Sequence, residues 1–105
     1  MKKTDIKYTI ICASKNEERD IIYLLETFIS LNKNYENCEL IVIDDSSDNT
    51  PLILKKYAKN NKNIFYIKGK NEGCCQARNL GISQSRGNYI VFMTADSFFE
   101  DDFLD

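Results

Sequence analysis

Four short runs rich in β-branched and aromatic residues alternate along this chain with segments of helical character. The runs are Tyr8–Cys12, Glu39–Ile43, Ile64–Lys68 and Tyr89–Met93. Runs of this length, bounded by polar segments, predict β-strands. The first two and the last are almost continuously apolar, which is typical of strands covered on both faces in a parallel sheet.

The segments between the strands carry the spacing or the end signals of α-helices. Over 18–31 the apolar residues follow one helix face, and these are Ile21, Leu24, Leu25 and Phe28. A Thr-Pro pair, favourable at a helix start, opens a second helix predicted over 50–59. A third helix is predicted over 73–86, ended by Gly87, which readily adopts the left-handed conformation of a helix end.

The order β-α-β-α-β-α-β predicts an α/β fold, with a parallel sheet of about four strands between helices in three αβα layers. At 105 residues the chain fits one domain, 1–105. In such sheets ligands bind beyond the carboxyl ends of the strands. We therefore expect function in the loops after the strands, which are Ala13–Glu17, Asp44–Thr50, Gly69–Gly73 and Thr94–Glu100.

The composition excludes several classes of protein. Fourteen basic and sixteen acidic residues leave a net charge of −2, so we expect no nucleic-acid partner. Without histidine, the chain cannot use serine–histidine or cysteine–histidine pairs or histidine-ligated zinc. No apolar run approaches the ~20 residues of a membrane span, and the start of the chain is not a signal-peptide core. We expect a cytoplasmic protein with no membrane span.

The four cysteines are interpreted first as reduced thiols. Cys12, Cys38, Cys74 and Cys75 show no C-x-x-C spacing, and small buried hydrophobic residues are their simplest role. Cys74 and Cys75 lie at a predicted helix start, which lowers the pKa of a thiol, and a reactive role for this pair is the alternative.

Carboxylates and hydroxyls gather after the second and fourth strands. Asp44 and Asp45 end a buried strand, where a carboxylate needs hydrogen-bond partners that a nucleobase or ribose could supply. The alternative for either is a polar loop that leads into a helix cap. Asp96 follows the fourth strand between Thr94 and Ser97, and hard divalent cations bind such oxygen ligands.

Four segments resemble the motifs of family 2 glycosyltransferases, in that family's order and spacing. Ile10–Glu18 is similar to V-I-I-P-T-Y-N-E, and Ile41–Thr50 is similar to V-V-D-D-G-S-x-D-x-T. Residues 71–82 resemble N-x-G followed by A-R-N-x-G. Residues 87–104 resemble G-x-Y-I-x-F-L-D-A-D-D followed by P-D-x-L. Together the segments cover nearly the whole chain.

The resemblance implies a Rossmann-like GT-A fold, of which this chain would be the N-terminal half that binds a nucleotide-diphosphate sugar. The implied contacts to that donor are Ser14, Asn16, Glu17, Asp44, Asp45, Arg78, Thr94 and Ala95. Asp44 matches the carboxylate that contacts the base. Arg78 matches an arginine on the nucleotide and diphosphate side, and a solvated helix charge is its alternative. Asp96 matches the metal-binding carboxylate that ends the D-x-D motif.

The implied partner is a nucleotide-diphosphate sugar, with a UDP-sugar as the first choice, and the implied cofactor is a divalent cation, Mn²⁺ or Mg²⁺. Thr94 and Ser97 stand where the family usually has carboxylates. Because each lost carboxylate removes attraction for a cation, we expect weak metal binding.

Two functions are compatible with these features. The first is the donor-binding half of an inverting glycosyltransferase of polysaccharide or cell-envelope glycan synthesis. Members of this family run to roughly twice this length or more, so the acceptor site and catalytic base would lie in a missing half. The isolated chain should then transfer no sugar. The second is a non-catalytic nucleotide-binding or protein-interaction module on the same fold. A truncated sheet with an exposed edge would favour a homo-oligomer.

Overall fold

The computed structural model describes residues 8–16, 18–34, 38–70 and 73–94. Seven elements alternate along them, namely β1 (Tyr8–Ser14), α1 (Glu18–Asn34), β2 (Cys38–Asp44), α2 (Thr50–Asn60), β3 (Ile64–Lys68), α3 (Cys74–Gln84) and β4 (Tyr89–Thr94). Every strand and helix predicted from the sequence is present. The elements differ from the prediction only at their ends. β3 has the predicted bounds, α3 is shorter, and β1, α1, β2, α2 and β4 are longer by one to three residues.

The four strands form one parallel sheet in the order β3-β2-β1-β4. The central pairing of β1 with β2 sets Ser14 opposite Asp44, and the pairing of β1 with β4 sets Ala13 opposite Thr94. The carboxyl ends of these three strands therefore reach the same edge of the sheet, where ligands bind in folds of this type. The predicted α/β class and parallel sheet are confirmed.

Apolar residues pack on both faces of the sheet. On one face α1 and α2 cover a large cluster formed by Ile10, Cys12, Ile21, Leu24, Leu25, Phe28, Leu40, Val42 and Leu54. On the other face α3 contributes Ala77 to a smaller cluster with Ile11, Ile41 and Ile43. Every residue of β2 is buried, as the apolar run in the sequence indicates. The three-layer arrangement is confirmed.

A buried ionic cluster holds the loop between α3 and β4 at the amino end of the sheet. Glu39 on β2 is 1% exposed, and its Oε1 lies 3.0 Å from Nη2 of Arg86. Its Oε2 accepts the Arg86 backbone N–H at 2.8 Å and the Thr9 hydroxyl at 2.7 Å. These bonds compensate the cost of burying the Glu39 carboxylate.

The end of α3 differs from the sequence expectation. Gly87 has no positive φ, so the predicted left-handed helix end at this residue is wrong. The helix ends at Gln84 because Ser85 is already extended, with φ −74° and ψ 149°. Gly87 instead donates its N–H to Thr9 Oγ1 at 2.7 Å, and a Cβ here would lie 2.6 Å from the Thr9 backbone nitrogen. Close approach to β1 explains the glycine.

Candidate functional site

Asn16 joins the loop after β1 to the loop after β2. Its backbone lies in the left-handed region, with φ 52°, a conformation that asparagine tolerates better than most residues. Its backbone N–H donates to Ser46 Oγ at 2.6 Å. Its side-chain Oδ1 accepts the backbone N–H of Ser47 at 2.8 Å and of Asp48 at 3.3 Å. The amide oxygen of Asn16 is thus engaged within the protein.

Asp44 is buried at the end of β2 and is held by the same loop. The residue is 1% exposed. Its Oδ1 accepts the Ser46 hydroxyl at 2.6 Å, and its Oδ2 accepts the Ser46 backbone N–H at 3.2 Å. Asp44 therefore fixes Ser46, which in turn binds Asn16. In this structure both oxygens of the Asp44 carboxylate accept hydrogen bonds from Ser46. The prediction that Asp44 contacts a base stays a prediction.

The next residue, Asp45, faces a cavity of about 200 Å³ between the end of the sheet and α3. The other lining residues are Ile43, Gly69, Lys70, Gly73, Gln76, Ala77, Asn79 and Leu80. A Cβ at Gly69 would lie 2.2 Å from Asp45 Oδ1. The absence of a side chain at Gly69 is therefore what lets the Asp45 carboxylate occupy this position.

Ser14 brings a buried hydroxyl to the end of β1. The residue is 4% exposed, and within the part of the chain that the structure describes its Oγ has no hydrogen-bond partner. A buried hydroxyl without a partner costs free energy, so such a group is typical of a ligand or water site. Ser14 lies opposite Asp44 in the sheet register and therefore belongs to the same edge as the two loops.

The negative charges of Asp44 and Asp45 act on the neighbouring edge strand. Burial first, and then these two carboxylates, raise the pKa of the Tyr66 hydroxyl on β3. In the loop itself, hydrogen bonds from Thr50 lower the pKa of Asp48. The carboxyl end of the sheet is thus an electronegative region that needs cationic groups before it can accept a phosphorylated ligand.

Two cations, Arg78 and Lys70, take different positions relative to the cavity that holds Asp45. The guanidinium of Arg78, on α3, lies 5.3 Å from the centroid of the Phe92 ring on β4, which is cation–π geometry. Arg78 is exposed and does not line the cavity, and its contact with the diphosphate stays a prediction. Lys70 lines the cavity. It was not among the predicted site residues, although its position in the loop after β3 was a usable signal.

Of the remaining expected site residues, the structure describes the position of Thr94 but not of the other three. Thr94 ends β4, paired with Ala13. Glu17, Ala95 and Asp96 lie outside the described residues. Within the described ranges, no three histidine, cysteine, aspartate or glutamate side chains are grouped so that they could hold a metal ion.

The two cysteines whose side chains the structure describes, Cys12 and Cys38, are buried thiols of the hydrophobic core. This confirms the interpretation as core residues for that pair. In the described part of the chain, no helix has the length and apolar character needed to cross a membrane.

Solved structures with the same architecture are glycosyltransferases of the GT-A fold. S. aureus TarS 1-349 superposes with a TM-score of 0.83 at 26% identity, covering 94% of this chain and 30% of that one. The same protein in complex with UDP-GlcNAc gives a TM-score of 0.79 at 25% identity, covering 94% of this chain and 29% of that one. The fold and the polar edge of its sheet thus define a glycosyltransferase domain.

The chain belongs to glycosyl transferase family 2, whose pattern matches residues 9–105. It is 41% identical over 95 residues to an uncharacterized glycosyltransferase of Rickettsia bellii, covering 90% of this chain and 14% of that protein. It is 35% identical over 97 residues to the minor teichoic acid biosynthesis protein GgaB of Bacillus subtilis, covering 90% of this chain and 11% of that protein. The chain therefore spans between 11% and 14% of the length of these relatives.

Proposed function

We propose that this chain binds the donor of a glycosyltransferase, a nucleotide-diphosphate sugar, at the carboxyl ends of its strands. The observation that carries the proposal is the Asp45 carboxylate, which lines a cavity of about 200 Å³ closed by β2, α3 and the loop after β3. The UDP-GlcNAc and UDP complexes of the similar S. aureus TarS 1-349 support this choice of ligand.

In this proposal the nucleobase occupies the cavity. Asp45 accepts a hydrogen bond from a ring N–H of the base, and the side-chain amides of Gln76 and Asn79 lie within the same lining to meet its carbonyl groups. Ala77 and Leu80 supply the apolar contact. A uracil base offers this combination of one N–H between two carbonyls, so a UDP-sugar is the proposed donor.

The ribose and diphosphate extend from the cavity toward β1. The Ser14 hydroxyl, which has no hydrogen-bond partner among the described residues, donates to an oxygen of this part of the ligand. Lys70 offsets the charge of Asp44 and Asp45. Asp44 and Asp45 are adjacent, and we assign Asp44 to holding the loop through Ser46. Glu17, Arg78, Thr94 and Ala95 are proposed as further contacts on the diphosphate side, from the family resemblance.

A divalent cation, Mn²⁺ or Mg²⁺, is part of the proposal only through Asp96. Because the described residues hold no cluster of three acidic, cysteine or histidine side chains, the cation would be held by Asp96 together with diphosphate oxygens of the donor. Such a cation would stabilise the negative charge of the departing nucleoside diphosphate.

We further propose that these 105 residues supply donor binding within a larger transfer reaction, because the relatives are several times longer. Sugar transfer also needs an ordered acceptor and a base at its hydroxyl. Polysaccharide or cell-envelope glycan synthesis in the cytoplasm is the proposed setting. The names of two relatives, the teichoic acid protein and a poly-beta-1,6-N-acetyl-D-glucosamine synthase of Staphylococcus aureus, support this product class.

Calorimetric titration of the chain with UDP, GDP and UMP, with and without Mn²⁺, tests the proposal. We expect UDP to bind and Asp45→Asn to weaken it about tenfold, the loss expected for one charge-assisted hydrogen bond. Asp48→Asn is the matched control, since Asp48 is exposed in the same loop and an asparagine side chain can also accept the Thr50 backbone N–H. Folded protein that binds no nucleotide, or equal affinity for the wild type and Asp45→Asn, would refute the proposal.

A further inference from the structure

β3 forms one edge of the sheet, and it is the loop after β3, not the outer side of the strand, that lines the nucleotide cavity. Within the described residues it pairs only with β2, so the backbone N–H and C=O groups on its outer side have no strand partner there. Unpaired edges of this kind are templates for the addition of an extended segment.

A groove of about 820 Å³ surrounds this edge. The part of its lining that β3 supplies is apolar and aromatic, namely Ile64, Phe65, Tyr66 and Ile67, and α2 adds Ala58. Ile64 and Tyr66 lie on the α2 face of the sheet, and Phe65 and Ile67 on the α3 face. Phe65 is 37% exposed although it lies within the strand, so a partner's side chain could cover it.

The rim of the groove is basic. Lys55, Lys59 and Lys62 line it from α2 and the turn that follows, and Arg86 lines it from the loop after α3. Of the residues that line the groove, Glu39 is the acidic one, and it is buried and paired with Arg86. The three lysines therefore leave the rim positively charged, although the chain as a whole carries a net charge of −2.

Two of these cations lie over aromatic side chains of β3. The Arg86 guanidinium is 5.4 Å from the centroid of the Phe65 ring, and Lys55 Nζ is 5.9 Å from that of Tyr66. Because successive side chains of a strand point to opposite faces, the Phe65 pair lies on the α3 face of the sheet and the Tyr66 pair on the α2 face. An aromatic ring and a positive charge therefore lie together on each face of this edge, which suits a ligand that carries both apolar and acidic groups.

Among the described strands β4 forms the opposite edge of the sheet, and its side chains differ in character. β4, with the sequence YIVFMT, contains no charged residue, and Tyr89, Ile90 and Phe92 are exposed. A second copy of the chain could pair at β4 without bringing like charges together. At β3 a second copy would oppose lysines with lysines, so an acidic partner fits this edge better than a second copy does.

We propose that the β3 edge docks an extended acidic segment of a partner protein, which adds to the sheet as a further strand. The segment's backbone pairs with the outer side of β3, and its apolar side chains cover Phe65 on the α3 face. Its carboxylates, which alternate with them along the segment, lie on the α2 face against Lys55, Lys59 and Lys62. Neither the nucleotide cavity nor the donor is needed for this contact.

Fluorescence anisotropy with a labelled peptide of alternating glutamate and valine tests this proposal. We expect it to bind, and a peptide of alternating lysine and valine not to bind. The double variant Lys59→Glu with Lys62→Glu should weaken binding about tenfold or more, since two attractive charge pairs become repulsive. Lys56→Glu, an exposed lysine of α2 outside the groove lining, is the matched control and should bind as the wild type does.

Methylation of alternate peptide nitrogens then tests strand addition itself. Peptides methylated on the amides that face β3 should lose binding, whereas the set methylated on the outward amides should keep it. Equal binding of both sets, with inorganic polyphosphate competing as well as the peptide, would show a general polyanion surface and overturn the proposal. Failure of the glutamate peptide to bind folded wild-type chain, or an equal loss in Lys56→Glu, would overturn it too.

Discussion

The side-chain Oδ1 of Asn16 accepts the backbone N–H of Ser47 at 2.8 Å and so ties the end of β1 to the loop after β2. The tie is completed by the Asn16 N–H, which donates to Ser46, and by Asp44, which accepts the Ser46 hydroxyl. Two loops that are distant in sequence are thereby fixed relative to each other beside Asp45. Preorganisation of this kind lowers the conformational cost of binding a ligand.

Replacing Asn16 should separate its backbone role from its side-chain role. Asn16→Gly keeps the left-handed φ but loses the amide, so we expect a loss of about 1 kcal/mol in the free energy of unfolding. Asn16→Ala loses the amide and also disfavours the left-handed φ, so it should lower the free energy of unfolding by about 1 kcal/mol more than Asn16→Gly does. Urea denaturation measures both variants. Equal stability of the wild type and Asn16→Gly would contradict the role of the amide.

A methyl group at Gly69 should weaken UDP binding with little effect on the stability of the protein. In Gly69→Ala the new Cβ meets Asp45 Oδ1, which can rotate away, so we expect little loss of stability but about a tenfold loss of UDP affinity. Gly73→Ala makes the useful contrast. No atom of the described residues lies within 4 Å of a Cβ at Gly73, but the φ of 92° at this residue disfavours alanine. That variant should lose about 1 kcal/mol of stability.

Comparing melting with calorimetry for the two glycine variants checks this pair of expectations. If Gly69→Ala bound UDP as tightly as the wild type, the placement of Asp45 at the nucleobase would be wrong.

The effects of replacing Arg86 and Glu39, the ion pair at the amino end of the sheet, on the free energy of unfolding should be strongly coupled. Arg86→Ala leaves the buried Glu39 carboxylate without its guanidinium partner, and we expect a loss of about 2–3 kcal/mol, reduced from a fully buried pair because Arg86 is 49% exposed. Adding Glu39→Gln should recover part of that loss, because the remaining bonds need no charge. A double-mutant cycle in urea measures the coupling. Additive effects of the two substitutions would contradict it.

Alkaline pH should destabilise the protein through Cys38. Burial raises the pKa of the Cys38 thiol from its ordinary value of 9.0 to about 11, so folding favours the neutral thiol. As pH rises, the thiol ionises in the unfolded chain at a lower pH than in the folded one. This contribution is therefore constant below about pH 9, and the free energy of unfolding falls above it. By pH 11 the loss from this thiol is about 2 kcal/mol.

Thermal melting between pH 8 and 11 of the wild type and Cys38→Ala checks this contribution. The variant removes the thiol but keeps Tyr57, whose pKa is raised by its hydrogen bond to Glu26 and by burial. The fall in stability above pH 9 should therefore be smaller in the variant, with a residual fall at higher pH. The same pH dependence in both proteins would exclude Cys38 as its source.

The fold could be predicted from the sequence because the apolar patterns are strong. The apolar run Leu40–Ile43 and the helix-face spacing of Ile21, Leu24 and Phe28 each determine burial locally. Gly87 was misjudged because its close approach to Thr9 depends on a contact between residues far apart in sequence.

The sequence could assign the candidate site to one edge of the sheet but could not predict which side chain of that edge reaches the cavity. Adjacent residues of a strand end point in different directions, and the sequence does not tell which of Asp44 and Asp45 reaches a cavity. That difference depends on two other residues. Ser46 donates its hydroxyl to the Asp44 carboxylate, and Gly69 has no side chain that would overlap the Asp45 carboxylate. Likewise, nothing in the helical pattern around Arg78 predicts that its side chain stacks on Phe92.

Amide NMR during titration of the folded chain with UDP tests the central claim most directly. If the cavity beside Asp45 binds the nucleobase, the largest chemical-shift changes should occur at Asp45, Gly69 and Asn79, and Asp45→Asn should diminish them at equal UDP concentration. The amides of β3 around Phe65 should move little. An absence of changes at high UDP, or changes confined to residues away from this cavity, would contradict the account.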